Sequence, residues 1–272
     1  MLIYTDNFLI KVSDTQERPL IKMANGQPLI VDTDYNPKEH RKQIGEIVAL
    51  PMNISSQHLY DNPLEIGDTV LFSHLALEDF QHYQDNIYRA EYHLFYAKIK
   101  NGIIEPLEDI LICEAMNVKQ DSVIAKLDIK SEKYCKVIAV SNKNKKEGVI
   151  EGDIIHFTHN ANYSFKVGEK EFVRLRTRNI IAIERNGDFI PMRNKVMVKE
   201  IEDKKYIAGI EIVRKKDNQK KGVVIKTSND VAEVKENDIV CYFLGTSSRL
   251  NVQGTEYAFV NKDNIKFIYR WK

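Results

Sequence analysis

An internal repeat with a constant period constrains the fold of this 272-residue chain more than any other feature. At three places a Gly-Asp pair, or Asn-Asp in the last instance, is followed by a run of β-forming residues. The runs are Ile66–Phe72, Glu151–Phe157 and Glu236–Phe243. Their three aspartates are equally spaced (153 − 68 = 85 and 238 − 153 = 85), and we call this spacing the repeat distance. A fixed period means that one structural unit recurs, so the sequence predicts three similar units in tandem.

Two turn-and-strand segments are separated by the same repeat distance. Asn101-Gly102 precedes the run Pro106–Ile112, and Asn186-Gly187 precedes Pro191–Val198 (186 − 101 = 85). In each segment the Asn-Gly pair predicts a turn, the proline blocks a preceding helix, and the apolar residues predict a strand. Asn237 stands where the other Gly-Asp pairs have glycine, and asparagine tolerates the left-handed backbone that such a turn requires.

Two shorter patterns complete each copy, and together they predict the fold class. An acidic residue precedes an aromatic one at Glu91-Tyr92, Glu171-Phe172 and Glu256-Tyr257. An apolar strand precedes each Gly-Asp turn, at Glu46–Leu50, Lys136–Val140 and Val223–Lys226. Short strands of this kind, separated by turns, predict an all-β fold, and helical periodicity is weak outside Leu75–Tyr83. The predicted domains are residues 1–103, 104–188 and 189–272.

The order of these elements resembles the pattern of the 10-kDa co-chaperonin (GroES, chaperonin-10) family. That pattern has an opening strand, a long loop with a glycine and an apolar triplet, a strand after a second glycine, a Gly-Asp strand, a hairpin and a closing strand. Residues 194–269 follow it throughout, and residues 6–72 match it with insertions. The middle copy departs most, because its loop at 115–133 lacks both glycines. The resemblance implies three tandem GroES-like, partly open β-barrels.

The resemblance also implies a binding site in the loops. In that family the loop docks its apolar triplet into a groove on the large ring chaperonin. The corresponding chaperonin-binding residues here are Leu29, Ile30 and Val31, then Ile210, Glu211 and Ile212, and in the middle copy Val123 and Ile124. The first triplet stands in a polar loop with no periodic partner that would make it core. The alternative is that these are ordinary strand residues inside the barrels, which is the preferred interpretation for Val123 and Ile124.

The resemblance therefore predicts a co-chaperonin-like homo-oligomer that binds or caps a GroEL-type, ATP-dependent ring chaperonin and assists protein folding. Three barrels per chain cannot tile a seven-fold ring evenly. Either one barrel per chain joins a ring, or the chains form a pseudo-ring of six or nine barrels, or the barrels serve another purpose. The alternative function is that of a structural assembly protein, for example in a bacteriophage particle. The long roof insertion and the degenerate middle loop favour this alternative, and a phage origin is a hypothesis from divergence and the Lys/Asn/Ile-rich composition.

Composition and charge argue against other classes of function. The formal net charge is +1, from 40 basic and 39 acidic residues, so we expect neither nucleic acid nor a membrane as partner. Three scattered cysteines and the absence of a signal-peptide pattern predict a cytoplasmic protein, in the host cytoplasm if phage-encoded and in the virion under the alternative.

No catalytic site, metal or cofactor is expected. His156-x-x-His159 has a spacing that could hold a metal, but no cysteine or second acid–histidine pair stands nearby, so a hydrogen-bonded role is preferred. The sequence contains no Gly-rich phosphate loop, nucleophile elbow or dinucleotide-binding glycine motif. The chain is therefore not expected to be an enzyme.

Overall fold

Short antiparallel strands make up nearly all of the regular structure in the computed structural model. It describes residues 7–12, 20–22, 28–30, 43–51, 63–78, 81–116, 134–158, 163–167, 170–201, 206–207, 210–211, 219–243, 245–252 and 254–270. The strands of these residues form three large antiparallel sheets and two separate two-stranded sheets. The prediction of an all-β fold is confirmed, because the single α-helix in the described residues, α1, has only five residues (Asn142–Lys146).

The first sheet lies wholly in the first of two compact units into which the chain divides. That unit comprises Met1–Gly152 and Ala161–Thr177. Its first strands are β1 (Phe8–Lys11), β2 (Leu20–Lys22), β3 (Pro28–Ile30), β4 (Ile44–Ala49), β5 (Thr69–Phe72), β6 (His82–Gln84), β7 (Ile87–Ala90), β8 (Phe95–Lys100) and β9 (Ile103–Pro106). The order in the sheet is β6-β7-β1-β4-β5-β8-β9, and β2 and β3 pair only with each other. Two 3-10 helices, His74–Leu77 and Tyr92–Leu94, connect its strands.

The middle sheet contributes strands to both units. Its strands are β10 (Ile110–Ala115), β11 (Tyr134–Val140), β12 (Ile154–Phe157), β13 (Tyr163–Val167), β14 (Lys170–Arg176), β15 (Ile180–Arg185) and β16 (Asp188–Pro191). Within the first unit the order is β13-β14-β10-β11, and within the second it is β12-β15-β16. A 3-10 helix spans Thr177–Asn179.

The third sheet lies wholly in the second unit, which comprises Asp153–Asn160 and Arg178–Lys272. Its segment contains β17 (Lys195–Glu200), β18 (Tyr206–Ile207), β19 (Ile210–Glu211), β20 (Gln219–Thr227), β21 (Ile239–Phe243), β22 (Ser247–Val252), β23 (Thr255–Asn261) and β24 (Ile265–Tyr269). The order is β22-β23-β17-β20-β21-β24, while β18 and β19 pair only with each other. A 3-10 helix, Lys262–Asn264, precedes β24.

The first and third sheets each enclose an apolar core built from alternate residues of their strands. In the first sheet Ile10, Phe72 and Phe95 lie at the centre, and in the third Val198 and Val240 take that place. All five side chains are almost completely buried. This alternation of buried and exposed positions follows from the two-residue period of a strand.

The predicted left-handed turns are confirmed, and they fix where the strands end. Gly67, Gly152 and Asn237 have φ of 92°, 91° and 69°, so asparagine does take the conformation that glycine has in the other copies. In the first sheet the turn is bonded to β4, since Gly67 N donates to Ile47 O over 2.8 Å. The same bond recurs at 2.9 Å from Asn237 N to Val224 O in the third sheet.

An aspartate follows each of these left-handed residues. Its carboxylate accepts a hydrogen bond from a backbone amide of the same turn or from an arginine near the end of the strand that pairs with the one after the turn. Asp68 Oδ2 accepts from the backbone N of Glu65 at 2.8 Å. Asp153 receives a two-pronged contact from Arg185, whose Nε and Nη2 each lie 2.8 Å from one carboxylate oxygen. Arg270, one repeat distance after Arg185, contacts Asp238 through Nε alone, which lies 3.1 Å from both carboxylate oxygens, while its Nη2 donates to the backbone oxygen of Glu233. Lys100 takes this position in the first copy, and no ion pair joins it to Asp68 in the described part of the chain.

Helix α1 was not anticipated from the sequence. Its polar residues carry no apolar period, but Ser141 caps its first turn by accepting from Asn144 N at 3.3 Å, and Gly148 follows with φ of 91°. The buried Asn144 amide donates to the backbone oxygen of Ile110 at 3.0 Å and so fixes the helix to β10. A serine cap followed by a glycine stop was the available signal.

We expect Arg185→Ala to lower the free energy of unfolding by about 1–3 kcal/mol, because the Asp153 side chain is only 1% exposed and would lose its cation. Hydrogen exchange of the β12 and β15 amides measures the loss. The matched control is Lys100→Ala at the same repeat position, with an expected cost below about 0.5 kcal/mol. Equal costs for the two variants would contradict the assignment.

His156 is expected to make stability depend on pH. Its Nε2 lies 2.9 Å from Glu184 Oε2, and burial lowers its pKa although Glu184 opposes that shift. Below about pH 6.5 the unfolded chain therefore binds a proton that the folded chain does not, and the free energy of unfolding falls as the pH is lowered. Urea titrations between pH 7.5 and the acid limit of folding should show a shallower decline for His156→Gln. His93→Gln, which removes an exposed histidine outside the His156–Glu184 contact, serves as the control.

Candidate functional site

Two of the three predicted apolar triplets begin in short hairpins that stand apart from the large sheets. Leu29 and Ile30 lie in β3, where Leu29 pairs with Ile21 and Ile30 with Leu20. In the third copy, Ile210 and Glu211 form β19, where Ile210 pairs with Ile207. Neither hairpin joins a large sheet, so both place apolar residues outside the strand order that builds the cores.

Both hairpins occupy the same place in the chain order. Each one lies between the first strand of a large sheet and the strand that pairs with it, β1 with β4 and β17 with β20. The middle and third intervals have the same length, since β10 ends at Ala115 and β11 begins at Tyr134, while β17 ends at Glu200 and β20 begins at Gln219. The first interval, from Lys11 to Ile44, is longer.

The remaining predicted residues lie outside the described part of the chain. They are Val31, Ile212, Val123 and Ile124. The alternative interpretation, in which the triplets are ordinary strand residues, agrees with the strand backbone of Leu29, Ile30 and Ile210. These strands nevertheless belong to two-stranded sheets of their own.

Glycines fix the root of the first and third loops. At Gly45, just inside β4, an added Cβ would come within 2.8 Å of the Lys11 backbone oxygen. At Gly222 in β20 it would overlap Val198 Cγ1 and come within 2.6 Å of the Lys199 oxygen. Atoms cannot approach one another this closely. The two strands at the loop root can therefore lie side by side only because glycine has no Cβ.

A pair of cysteines replaces this arrangement at the root of the middle loop. Cys113 takes the position of Val198 (198 − 113 = 85), and Cys135 pairs with Ala115 as Gly222 pairs with Glu200. Both thiols are free and buried. Burial raises the pKa of Cys113, and the neighbouring Cys135 adds to the shift. The space that valine fills against glycine in the third copy is thus divided between two small side chains.

A polar cluster that sequence patterns did not reveal holds the root of the third loop. Glu200, the last residue of β17, accepts from the Tyr242 hydroxyl at 2.9 Å and from Arg249 Nη2 at 2.6 Å. Its other oxygen lies 3.5 Å from Lys220 Nζ. Burial, reinforced by Glu200, raises the pKa of Tyr242, so the phenol remains a proton donor. Arg249 also binds Glu256, which accounts for the acidic residue of the Glu256-Tyr257 pair.

The histidine that could have joined a metal site is engaged in other contacts. His156 contacts Glu184 and packs against Phe189, with ring centroids 5.0 Å apart, while His159 lies outside the described residues. Across the described ranges, no cluster of three or more His, Cys, Asp or Glu side chains has the arrangement of a metal site. Likewise, none of the helices in those ranges is long and apolar enough to cross a membrane.

Comparison with known proteins identifies the middle of the chain. Residues 103–184 match the family model described as "Chaperonin 10 Kd subunit". No curated protein sequence matches the chain at a significant level. The matched segment runs from the first residue of β9 into β15, and so includes the copy whose loop departs most from the family pattern. The predicted relationship to the chaperonin-10 family is confirmed by this segment.

The loop-root geometry predicts compensation between positions 113 and 135. Cys113→Val alone should destabilise the chain by about 1–3 kcal/mol through overpacking, and Cys135→Gly alone by a similar amount through loss of a buried side chain. The double variant restores the Val198–Gly222 arrangement, so its cost should fall at least about 1 kcal/mol below the sum. Hydrogen exchange of the β10 and β11 amides measures these free energies.

The control combines Cys113→Val with Cys241→Ala, because Cys241 is the buried cysteine of the third sheet. Their costs should add to within about 0.5 kcal/mol. Additive costs for the 113 and 135 pair as well would show that the two side chains do not share one space.

Proposed function

We propose that the chain is a co-chaperonin-like protein whose loops bind a GroEL-type ring chaperonin, since residues 103–184 match the family model of the chaperonin 10 kDa subunit. The observation that carries the proposal is the position of the two hairpins, β2–β3 and β18–β19. Each lies in chain order between the first strand of a large sheet and the strand that pairs with it, and neither belongs to the large sheet. The proposal assigns no reaction to the chain, and it places the protein in the cytoplasm, that of the host if it is phage-encoded.

We assign one barrel to each copy, at residues 1–103, 104–188 and 189–272. The three large sheets support this division, since their strands run from Phe8 to Pro106, from Ile110 to Pro191 and from Lys195 to Tyr269. The first residues of β9 and β16, Ile103 and Asp188, stand at the assigned boundaries.

The energetics suit a reversible contact. Each aliphatic side chain of a triplet contributes about 1.5–3 kcal/mol when it moves from water into an apolar groove. Fixing an unstructured backbone costs about 1–2 kcal/mol per residue, which offsets much of that gain. Strand pairing at Leu29 and Ile30 lowers this cost, because part of the backbone is already arranged.

The three loops are not equivalent in this proposal. The first triplet, Leu29-Ile30-Val31, is wholly apolar, whereas Glu211 interrupts the third and would carry a charge into an apolar groove. The middle loop offers only Val123 and Ile124. We therefore expect the first loop to dominate binding, the third to add to it and the middle to contribute least. Loops linked in one chain, or in an oligomer, can add their contacts through avidity.

Replacing Leu29, Ile30 and Val31 by serine should abolish ATP-dependent co-sedimentation with a GroEL-type chaperonin. Loss of the three contacts corresponds to a reduction in affinity of a hundredfold or more. The matched control replaces Ile66 and Ile103 by serine, because both are exposed apolar residues outside the loops, each 65% exposed. The control should bind like the unmodified chain.

Circular dichroism and thermal unfolding establish that each variant is folded before binding is compared. Unchanged binding of the loop variant would refute the assignment of the first loop. If the folded, unmodified chain does not co-sediment in the presence of ATP, the co-chaperonin proposal fails and the structural assembly role takes its place.

A further inference from the structure

The two cysteines at the root of the middle loop are neighbours on adjacent strands. Cys113 of β10 pairs with Val137, and Cys135 of β11 pairs with Ala115. The cysteines therefore stand diagonally across the ladder and on the same face of the sheet, where cross-strand side chains interact. Both side chains are almost completely buried. The influence of Cys135 on the pKa of Cys113 agrees with this proximity.

The third copy shows how side chains at these two positions are directed. Val198 stands where the middle copy has Cys113, and Gly222 stands where it has Cys135. A Cβ added to Gly222 would overlap Val198 Cγ1. The γ atom at the first position is thus aimed at the β-carbon of the second, and the γ atom of cysteine is its sulfur. With cysteine at both positions, the strand pairing directs the two sulfurs towards each other, as a disulfide between adjacent strands requires.

Cysteine is rare in this chain, so its presence on both sides of one contact is informative. The sequence has three cysteines in 272 residues, and the third, Cys241, belongs to β21 of the third sheet. The first and third loops have glycine at the root, Gly45 and Gly222, where an added Cβ would collide with the neighbouring strand. The middle copy replaces glycine there by Cys135 and also places cysteine opposite it. Two alanines would fill such a space without sulfur, so packing alone does not account for the choice of cysteine.

We propose that Cys113 and Cys135 are a modification site, at which a reversible disulfide joins β10 to β11 across the root of the middle loop. Both thiols are free in the structure, which therefore describes the reduced form. The disulfide closes a covalent ring that runs from residue 113 to residue 135 and contains the whole middle loop. It concerns the middle copy alone and does not depend on binding to a chaperonin.

A hydroperoxide, with hydrogen peroxide as the simplest member, is the oxidant of this reaction. The thiolate of one cysteine attacks a peroxide oxygen, the O–O bond breaks, and the sulfur becomes a sulfenic acid. The departing hydroxide takes up the proton that the thiol lost and becomes water. The sulfur of the second thiol then attacks the sulfenic sulfur, so that the S–S bond forms, the S–O bond breaks and a second water leaves with the second thiol's proton. Two thiols are thereby oxidised, and one hydrogen peroxide is reduced to two waters.

Burial makes both the formation and the reduction of this disulfide slow. The thiolate is the reactive form, and burial raises the pKa of the Cys113 thiol, so the closed protein reacts slowly. Oxidation therefore proceeds when the pairing of β10 and β11 opens locally at the root. The same burial protects the completed bond, because thiol–disulfide exchange requires access to one of its sulfurs. The disulfide is thus a slowly reversible connection between two strands.

The disulfide gives the middle loop root a connection that the third copy makes by other means. In the third copy the Tyr242 hydroxyl donates to Glu200 across the root. One repeat distance earlier the middle copy has Phe157 and Ala115, which carry neither a hydroxyl nor a carboxylate (242 − 157 = 85 and 200 − 115 = 85). A covalent ring also removes conformations from the unfolded chain, so the oxidised protein should unfold at a higher urea concentration than the reduced protein.

Treatment of the full chain with a small molar excess of hydrogen peroxide, followed by alkylation in denaturant, tests the disulfide. The oxidised chain should retain one alkylatable thiol of its three (3 − 2 = 1), and its mass before alkylation should fall by two hydrogen atoms. Proteolysis without reductant should release a linked pair of peptides that contain Cys113 and Cys135. Dithiothreitol in denaturant should restore all three thiols.

Alanine variants at each cysteine provide the matched controls. Cys113→Ala and Cys135→Ala should form no internal cross-link, whereas Cys241→Ala should form it as the unmodified chain does. Circular dichroism establishes that each variant is folded before oxidation. The urea midpoint should rise on oxidation for the unmodified chain and for Cys241→Ala, and it should not rise for Cys135→Ala.

Four outcomes would overturn the proposal. A cross-link that includes Cys241, or oxidation of Cys113 or Cys135 to a sulfinic acid without a cross-link, would exclude the pair as the site. A cross-linked chain that unfolds at a lower urea concentration would show that the bond does not fit the native strand pairing. Retention of all three thiols in urea just below the unfolding transition, where the root opens, would show that the sulfurs do not meet. None of these measurements involves a chaperonin, so failure of the disulfide and failure of chaperonin binding can be told apart.

Discussion

Burial of the outer sheet faces is the constraint on which the arrangement of the chain depends. Besides the face that covers its own core, each of the first two sheets has a second apolar surface that water would otherwise reach. It contains Tyr96 and Ala97 in the first sheet and Ile181 and Ala182 in the middle sheet. Each such face is covered by the sheet that follows it in sequence, and the covering strand that leads into the next sheet satisfies the exposed backbone edge. The equally short connections from Pro106 to Ile110 and from Pro191 to Lys195 follow from this, because an insertion between the closing strand and the next opening strand would separate the two halves of the contact.

Much of this architecture could be predicted from the sequence because it depends on local backbone chemistry. The Asn-Gly and Gly-Asp turns need positive φ, which few residue types adopt, so the hairpins and the strand ends followed from single residues such as Asn237. The spacing of Asp153 and Asp238 then showed which residues of the second and third copies correspond. Their pairing with Arg185 and Arg270 was not foreseen, although the two arginines are also separated by the repeat distance.

Contacts without a sequence period could not be predicted. Glu200 gathers Tyr242, Arg249 and Lys220 from three strands, and nothing in the local sequence of any of them indicates the others. Arg174 lies over Tyr96 of the preceding copy, a contact that only the junction creates. For the candidate site, the sequence located the triplets. It did not show that Leu29, Ile30 and Ile210 stand in hairpins separate from the large sheets, because propensity cannot tell which partner a short strand will choose.

The roots of the loops show how different residues can support the same pairing of strands in different copies. The two strands at the root lie so close together that only small side chains fit between them. The third copy places glycine against valine there, at Gly222 and Val198, and the middle copy places two cysteines, Cys113 and Cys135. Among the described residues, the close contacts at the root of the third loop involve the strand residues Gly222, Val198 and Lys199. The family match to residues 103–184 agrees with this, because that segment keeps the sheet strands and the turn while its loop lacks the family glycines. Under the proposed function, the residues that bind a partner and the residues that close the loop root are therefore different residues of each copy.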